Sequence, residues 1–202
     1  MTVIYLPEGC VDTGRPVSTQ QVITSATLVQ PSAAQAFRVL EGIEALWRTS
    51  SLHAGAPSSF LLASAMPPIL LNQYLLVLEQ GSQKPLGLCT WAAMDLETEY
   101  RYLLEPTALQ RTDWCSGDRL WLIDWIGTHA INRLMARWLK TRALPTRVLR
   151  TLRVHPPATQ GSILSFVGAQ IDPDTARHLL QSYHDDYTRT RRAATGSSTD
   201  RR

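Results

Sequence analysis

The spacing of apolar and polar positions predicts helices and strands in alternation along most of the chain. A capping-box pattern beginning at Ser32, followed by apolar residues at helical spacing, predicts a helix over residues 32–49. A second, mostly apolar helix is expected over 58–71, kinked or divided at Pro67-Pro68. Short runs of bulky residues bounded by turn residues predict five strands, over residues 74–78, 86–92, 119–126, 148–155 and 163–169.

Three further helices complete the predicted order of elements. An acidic amphipathic segment covers 96–104, a basic one covers 133–142, and Asp172-Pro173 starts the last helix with Asp at the N-cap. Residues 1–31 are expected to be an irregular extension with one β-like patch at 22–29. Residues 192–202 are small and polar, so they are expected to be a disordered tail. The domain between, residues 32–191, is predicted to be α/β, with a single mixed sheet flanked by helices.

Composition narrows the class of protein. The chain has 202 residues, 44% hydrophobic and 18% charged, as expected for one globular domain. Its three cysteines are widely spaced and form no CxxC pair, which favours a reducing, cytoplasmic setting over a disulfide framework or a zinc site. Residues 1–28 lack a secretion-signal pattern, and no apolar run reaches the roughly 18 residues of a membrane span. The histidines show no metal-ligand spacing, so no metal site is expected.

Charge is unevenly placed along the chain. The formal net charge is only +3, yet no Asp or Glu occurs between Trp125 and Ile171. That interval contains seven cationic residues, Arg133, Arg137, Lys140, Arg142, Arg147, Arg150 and Arg153. The pattern indicates a surface for an anionic partner, although scattered arginines on solvated faces would also account for it.

Asp124 is out of place by composition in the predicted strand 119–126. Strict alternation would put Trp121, Ile123 and Trp125 on one face and Leu122, Asp124 and Ile126 on the other. An unpaired carboxylate there would cost several kcal/mol, so Asp124 needs a partner or a cleft edge. The pattern alone leaves open a buried salt bridge, a loop-capping role and a catalytic role.

His53 lies in a turn of small residues between the first two helices. An imidazole with an ordinary pKa of about 6.5 can serve as a base near neutral pH, although an exposed loop histidine without a catalytic role is the commoner case. Ser50 and Ser51 could be nucleophiles or could cap the turn. No G-x-S-x-G, P-loop or G-x-G-x-x-G motif is present, which disfavours hydrolase, NTPase and dinucleotide-binding functions.

Several short blocks together resemble the toxin-activating acyltransferases of RTX hemolysins and leukotoxins. The blocks are Leu46-Trp47, Ser50-Ser51-Leu52-His53, Asn72-Gln73-Tyr74, Cys89-Thr90-Trp91-Ala92, Asp113-Trp114, Ser116-Gly117-Asp118-Arg119, Trp121, Ile123-Asp124-Trp125-Ile126, Arg150 and Arg153-Val154. They occur in the family's order and at similar spacing between Leu46 and Tyr187. The chain departs from the family at Ser51, where Pro is usual, and at residues 127–130, where Gly-Thr-His-Ala replaces Ala-Pro-Phe-Gly.

The resemblance implies a fold, a reaction and a set of partners. Family members have a GNAT-like acyltransferase fold, tend to form homodimers, and hold no bound cofactor. They move a fatty acyl chain from acyl carrier protein to internal lysines of an RTX protoxin. The family's catalytic histidine falls on His53 and its catalytic aspartate on Asp124, with Ser50 in a supporting position.

A mechanism follows as a hypothesis from that resemblance. His53 would take a proton from the lysine, directly or through water. Asp124 would orient the imidazole and stabilise the imidazolium, or would hold the incoming ammonium. A backbone N–H near Trp91 would stabilise the oxyanion, as the GNAT-like layout suggests. The acidic carrier protein would dock on Arg133, Arg137, Lys140, Arg150 and Arg153. An acyl-His53 or acyl-Ser50 intermediate stays open as an alternative to direct transfer.

Two other functions compete with this interpretation. The first is a GNAT-type N-acyltransferase that uses acyl-CoA, which would bind pyrophosphate at a Gly-rich turn where this chain has only Gly127. The second is a non-enzymatic module that binds nucleic acid or toxin. Nucleic acid is not the expected partner, because no recognised fold signature for it is present.

Overall fold

The computed structural model describes residues 2–6, 23–26, 33–51, 53–154 and 161–196. They form one mixed sheet of seven strands in the order β2-β1-β3-β4-β5-β6-β7. Neighbouring strands are antiparallel except for the parallel pairs β1–β3 and β5–β6. The strands are β1 (Thr2–Leu6), β2 (Ile23–Ala26), β3 (Tyr74–Glu79), β4 (Pro85–Met94), β5 (Arg119–Gly127), β6 (Val148–Val154) and β7 (Gly161–Val167).

Five α-helices flank the sheet. They are α1 (Ala33–Thr49), α2 (Ser58–Leu70), α3 (Leu96–Leu104), α4 (His129–Trp138) and α5 (Pro173–Gly196). Short 3₁₀ turns cover Pro106–Ala108 and Arg111–Trp114, and a π-helical turn over Leu139–Ala143 extends α4. The predicted order of elements from residue 33 onward is confirmed, and so is the class, α/β with a single mixed sheet. The capping box expected at Ser32 lies outside the described residues.

The hydrophobic core lies on both faces of the sheet. On one face, α4 packs through Ile131, Met135 and Trp138 against Leu75, Cys89 and Leu122. On the other face, α1 and α2 cover β3 and β4 around Leu76 and Leu88, and Tyr102 of α3 packs beside them against Ala92, Met94 and Trp121. The face covered by α1, α2 and α3 also contains the polar site described below.

A β-bulge in the middle of the sheet overturns the predicted alternation of β5. Trp125 pairs with Cys89 and Leu122 pairs with Trp91, so Ile123 and Asp124 together oppose the single residue Thr90. Leu122 and Trp125 therefore both pack on the α4 face, while Trp121, Ile123 and Ile126 pack on the other. The sequence could not show this, because a bulge is a property of the pairing between two strands.

The two ends of the chain are more regular than predicted. The β-like patch at 22–29 is confirmed over Ile23–Ala26, but β1 was missed in the supposedly irregular extension. β1 pairs in parallel with β3, which joins the start of the chain to the sheet. At the other end, α5 continues to Gly196, so residues 192–196 are helical rather than disordered. Alanines 193 and 194 are strong helix formers and extend it.

Candidate active site

His53 is held by the turn that follows α1. The amide of His53 donates to the carbonyl of Ser50 at 3.0 Å, and the amide of Ala54 donates to the same carbonyl at 2.9 Å. The imidazole stacks on the Trp47 ring, with 4.3 Å between ring centroids and 24° between planes. Trp47 in turn packs against Phe60 of α2. The two helices therefore fix the plane of the ring before any polar partner is considered.

Asp124 meets this imidazole from the sheet. Its Oδ1 lies 3.1 Å from Nε2 of His53, and the aspartate is 7% exposed. Its second oxygen, Oδ2, accepts a hydrogen bond from the hydroxyl of Thr90 at 2.9 Å. The carboxylate that the sequence required to have a partner thus has two, and neither carries a permanent positive charge.

Ser50 completes a line of three hydrogen-bonded side chains. Its Oγ lies 2.9 Å from Nδ1 of His53. Because a carboxylate can only accept, the neutral ring places its proton on Nε2, and Nδ1 then accepts from the Ser50 hydroxyl. The basic nitrogen of His53 is therefore Nδ1, which points toward Ser50 rather than toward Asp124.

Two buried neighbours of Asp124 feel its negative charge. Burial, and then the negative charge of Asp124, raise the pKa of Cys89 and of Tyr102 above their ordinary values. Both groups are therefore neutral at physiological pH. An imidazolium formed at His53 would be the group that balances the Asp124 charge, which is the electrostatic condition for a histidine that takes up a proton during a reaction.

A cleft of about 850 Å³ opens beside the three residues. Its walls come from the end of α1, the β3–β4 hairpin and the end of β5, and they include Ser50, Ser51, Lys84, Trp125 and Thr128. The volume falls in the range of sites that bind small molecules or cofactors. Ser50 lines this cleft, while His53 and Asp124 stand behind it with side chains 16% and 8% exposed. The Ser50 hydroxyl therefore connects the cleft to the imidazole.

The amide of Trp91 is not free for the oxyanion role suggested by the sequence. It donates to the carbonyl of Gln73 at 3.0 Å, where β4 continues its pairing beyond the start of β3. The Trp91 ring is buried against α4, on the face opposite Asp124. The suggestion is therefore wrong for this particular N–H.

The predicted docking residues do not all lie on the surface. Arg133, Arg137 and Lys140 are exposed along α4 and its π-helical extension, and Arg153 is exposed on β6. Arg150 is only 5% exposed, and its guanidinium forms two hydrogen bonds with Glu99, one of them 2.9 Å from Nη1 to Oε1. It also lies over the rings of Trp121 and Tyr183. Arg150 is a core residue and cannot present its charge to a partner.

Thr90 is a functional candidate that its place in the sequence did not reveal. Threonine is common in strands, so its type gave no signal in an apolar strand. The signal is visible only in three dimensions, where Thr90 is 1% exposed and bonded to Asp124 twice.

Neither a membrane-spanning helix nor a metal-binding cluster is found in the described residues. Among the helices of the described ranges, none is long and apolar enough to cross a membrane. In the same ranges, no group of three or more His, Cys, Asp or Glu side chains is placed to hold a metal ion.

Together, an α/β sheet with a bulged central strand and a His–Asp pair behind a cleft are features of an enzyme's active site. Comparison with known proteins makes this specific: residues 32–165 match the model of the RTX toxin acyltransferase family. The chain belongs to that family, and its sheet flanked by helices is consistent with a GNAT-like fold.

Three relatives illustrate the match. The chain is 36% identical over 148 residues to the RTX-I toxin-activating lysine-acyltransferase ApxIC of Actinobacillus pleuropneumoniae, covering 73% of this chain and 84% of the relative. It is 34% identical to the protein-lysine myristoyltransferase HlyC of Escherichia coli (73% and 85% covered). It is also 34% identical to the leukotoxin-activating lysine-acyltransferase LtxC of Aggregatibacter actinomycetemcomitans (73% and 86% covered).

Proposed function

We propose that this enzyme transfers a fatty acyl chain from acyl carrier protein to internal lysines of an RTX protoxin in the cytoplasm, and so activates the toxin. The observation that carries the proposal is the contact between His53 and Asp124 behind a cleft, inside the region that matches the family. The relatives' names, which specify lysine acylation and toxin activation, support the choice of acceptor.

The geometry supports His53 as the base that prepares the lysine. A lysine ammonium has an ordinary pKa of about 10.4, so it must lose a proton before its nitrogen can attack a thioester. Nδ1 of His53 takes that proton, with the Ser50 hydroxyl or a water in its place as the relay from the cleft. Asp124 holds the Nε2 proton and stabilises the imidazolium. Such assistance contributes about 10²–10⁴ to a rate.

The remaining steps balance without a further reagent. The neutral lysine nitrogen attacks the thioester carbonyl, and a C–N bond forms as the C–S bond breaks. The proton held by His53 passes to the departing thiolate, which leaves as the thiol of the carrier protein's prosthetic arm. The newly acylated nitrogen still carries one extra proton, and the neutral His53 takes up this second proton and releases it to solvent. The lysine becomes an amide and loses its positive charge.

The surface supports an acidic donor. Arg133 and Arg137 lie one helical turn apart on the exposed side of α4, and Lys140 follows them. α4 begins beside the cleft, because its N-cap Thr128 lines the cleft wall. A carrier protein docked on this helix would have its arm close to the cleft entrance, and steering by like-signed arginines would raise the association rate.

The test is acylation of the protoxin followed by mass spectrometry. We expect wild-type enzyme and acyl carrier protein to add one acyl mass at specific lysines, and His53→Ala and Asp124→Ala to lower the rate by at least about 10². Asp113→Asn, another buried aspartate but paired with Arg101, is the matched control and should retain the rate. Acylation at near wild-type rate by either Ala variant would reject that residue's role.

Replacing the donor by acyl-CoA separates this function from its rival. If acyl-CoA supports the same rate as the carrier protein, the docking proposal fails while the acyltransferase assignment stands. An acyl-Ser50 intermediate would appear as an acyl mass on the enzyme itself when the toxin is omitted, and that mass would be absent from Ser50→Ala. Direct transfer predicts no such mass.

A further inference from the structure

We propose that Thr90 is a positioning residue that fixes both the backbone and the carboxylate of Asp124 for reaction with His53. The inference rests on the proposed function for its kinetic consequences, but its structural part can be tested without activity. Thr90 does not line the cleft and does not touch His53 in any bond described above, so it can act only through Asp124.

Two reciprocal hydrogen bonds join the residues. In the first, the amide of Asp124 donates to the hydroxyl oxygen of Thr90 at 3.1 Å; in the second, that hydroxyl donates to Oδ2 of Asp124 at 2.9 Å. A hydroxyl can donate one proton and accept a hydrogen bond at the same time. The Thr90 hydroxyl does both with Asp124, so its only proton is already used. Both residues are buried, which means that water cannot easily replace either bond.

The first bond explains how the bulge persists. Ile123 and Asp124 together oppose Thr90, so the regular ladder between β4 and β5 is interrupted at this point. At this interruption the buried amide of Asp124 donates to the Thr90 side chain, which supplies an acceptor. Because the bulge sets the direction of Asp124, the hydroxyl helps to place this residue on the face of the sheet where His53 lies.

The second bond restricts rotation of the carboxylate. The terminal torsion of an aspartate has a broad energy profile, so one hydrogen bond to His53 would leave the group free to turn. With Oδ2 held by Thr90, Oδ1 is directed at Nε2 of His53. Losing this restraint should weaken the hydrogen bond from Nε2–H of His53 to Asp124 and let the other tautomer of the imidazole form. In that tautomer, Nδ1 carries the proton and cannot act as the base.

The kinetic test uses Thr90→Val, which removes the hydroxyl but keeps the shape of the side chain. We expect kcat to fall about 10- to 100-fold, part of the range that acid–base assistance supplies, with KM for carrier protein and toxin nearly unchanged. Thr90→Ser restores the hydroxyl and should recover most of kcat.

Thr151→Val is the matched control. Thr151 lies on the adjacent strand β6, and its hydroxyl donates to the carbonyl of Leu122 at 3.2 Å, two residues before Asp124. The substitution removes the same hydroxyl beside the same strand without contacting the His–Asp pair, so kcat should stay near wild type. If Thr90→Val is as active as Thr151→Val, or if Thr90→Ser is as slow as Thr90→Val, the proposal is overturned.

A spectroscopic measurement separates failure of this inference from failure of the proposed function. The ¹⁵N resonances of the His53 ring report which nitrogen carries the proton. We expect the Nε2–H tautomer in wild type and Thr151→Val, and a mixture in Thr90→Val. An unchanged tautomer in Thr90→Val overturns the proposal even if no toxin is acylated. Should Thr90→Val not fold, the pair Thr90→Ser and Thr90→Ala gives the same contrast, and equal kcat values for the two would also overturn it.

Discussion

Two buried carboxylates in this protein, those of Glu99 and Asp124, have partners of different chemistry. Glu99 is 0% exposed, and it pairs with the guanidinium groups of Arg150 and Arg119. Arg119 also pairs with Asp186 of α5, and both arginines lie over the ring of Tyr183. Asp124 is also buried, but the side-chain partners of its carboxylate within the described residues are an imidazole and a hydroxyl. Guanidinium groups stay charged at every physiological pH, whereas an imidazole can gain or lose a proton near neutrality.

The difference teaches how burial and function are related here. The Glu99 network joins α3, β5, β6 and α5 with permanent charges, so it holds elements together and has no proton to exchange. Asp124 lies behind a cleft, and its partner there is the imidazole of His53, a group that can exchange a proton. A buried carboxylate is therefore a candidate for chemistry when its partner is titratable and near a cleft, and a structural group when its partner is not.

The largest expected effect comes from disrupting the ion-pair network around Glu99. Arg150→Met leaves Glu99 with a single, more distant guanidinium at 3.4 Å, and it removes the stack on Trp121. We expect the free energy of unfolding to fall by about 3–5 kcal/mol in urea titration, while molecules that remain folded keep their acylation rate. Arg153→Met on the same strand but exposed is the control and should cost little. A loss of less than about 1 kcal/mol in Arg150→Met would show that the network contributes no net stability.

An intermediate effect separates buried from exposed arginines. Arg137→Glu reverses a charge on the surface of α4 without touching the Glu99 network. We expect KM for acyl carrier protein to rise about three- to tenfold at low salt and the difference to shrink at 0.15 M, where the Debye length falls to about 8 Å. Arg177→Glu on α5 is the control of equal charge change. Equal KM values for the two variants would move the donor surface away from α4.

The smallest effect concerns a buried polar group that has neither kind of partner. Tyr74 is fully buried, its hydroxyl has no hydrogen-bond partner within the described part of the chain, and burial raises its pKa to about 12. The folded state therefore favours the neutral phenol. The free energy of unfolding is unaffected by this group below pH 10 and falls as the pH rises toward 12, because the tyrosine of the unfolded chain ionises first. We expect Tyr74→Phe to be neutral or to stabilise by up to about 1 kcal/mol at pH 7. It should also reduce the alkaline loss of stability. If Tyr74→Phe instead lowers the free energy of unfolding by more than about 1 kcal/mol at pH 7, the hydroxyl has a hydrogen-bond partner.

Local patterns carried much of the fold and part of the site. The helix at Leu96–Leu104 was predicted at its observed bounds, and Asp124 was identified because a carboxylate in an apolar strand needs a partner. The pairing of His53 with Asp124 came from the family resemblance rather than from spacing. The structure brings the two together with Ser50, although His53 and Asp124 are 71 positions apart in the chain.

The errors arose where distant parts of the chain meet. Arg150 was assigned to the surface because nothing near it in sequence is acidic, yet Glu99 reaches it from α3. The faces of β5 were reversed from Asp124 onward because the bulge depends on register with β4. Thr90 gave no sign of a role because a strand threonine is ordinary until its partner is known. Local spacing predicts elements, and it cannot predict which charges and registers meet across the sheet.

The most direct test asks whether the imidazole and the carboxylate work as one unit. Single-turnover acylation rates of His53→Ala, Asp124→Asn and the double variant form a cycle in which each change removes one partner. If the two side chains act together, the double variant reacts no more slowly than His53→Ala alone, because Asp124 has nothing left to orient. If the two losses multiply, Asp124 contributes independently of His53, and the account given for this site is wrong.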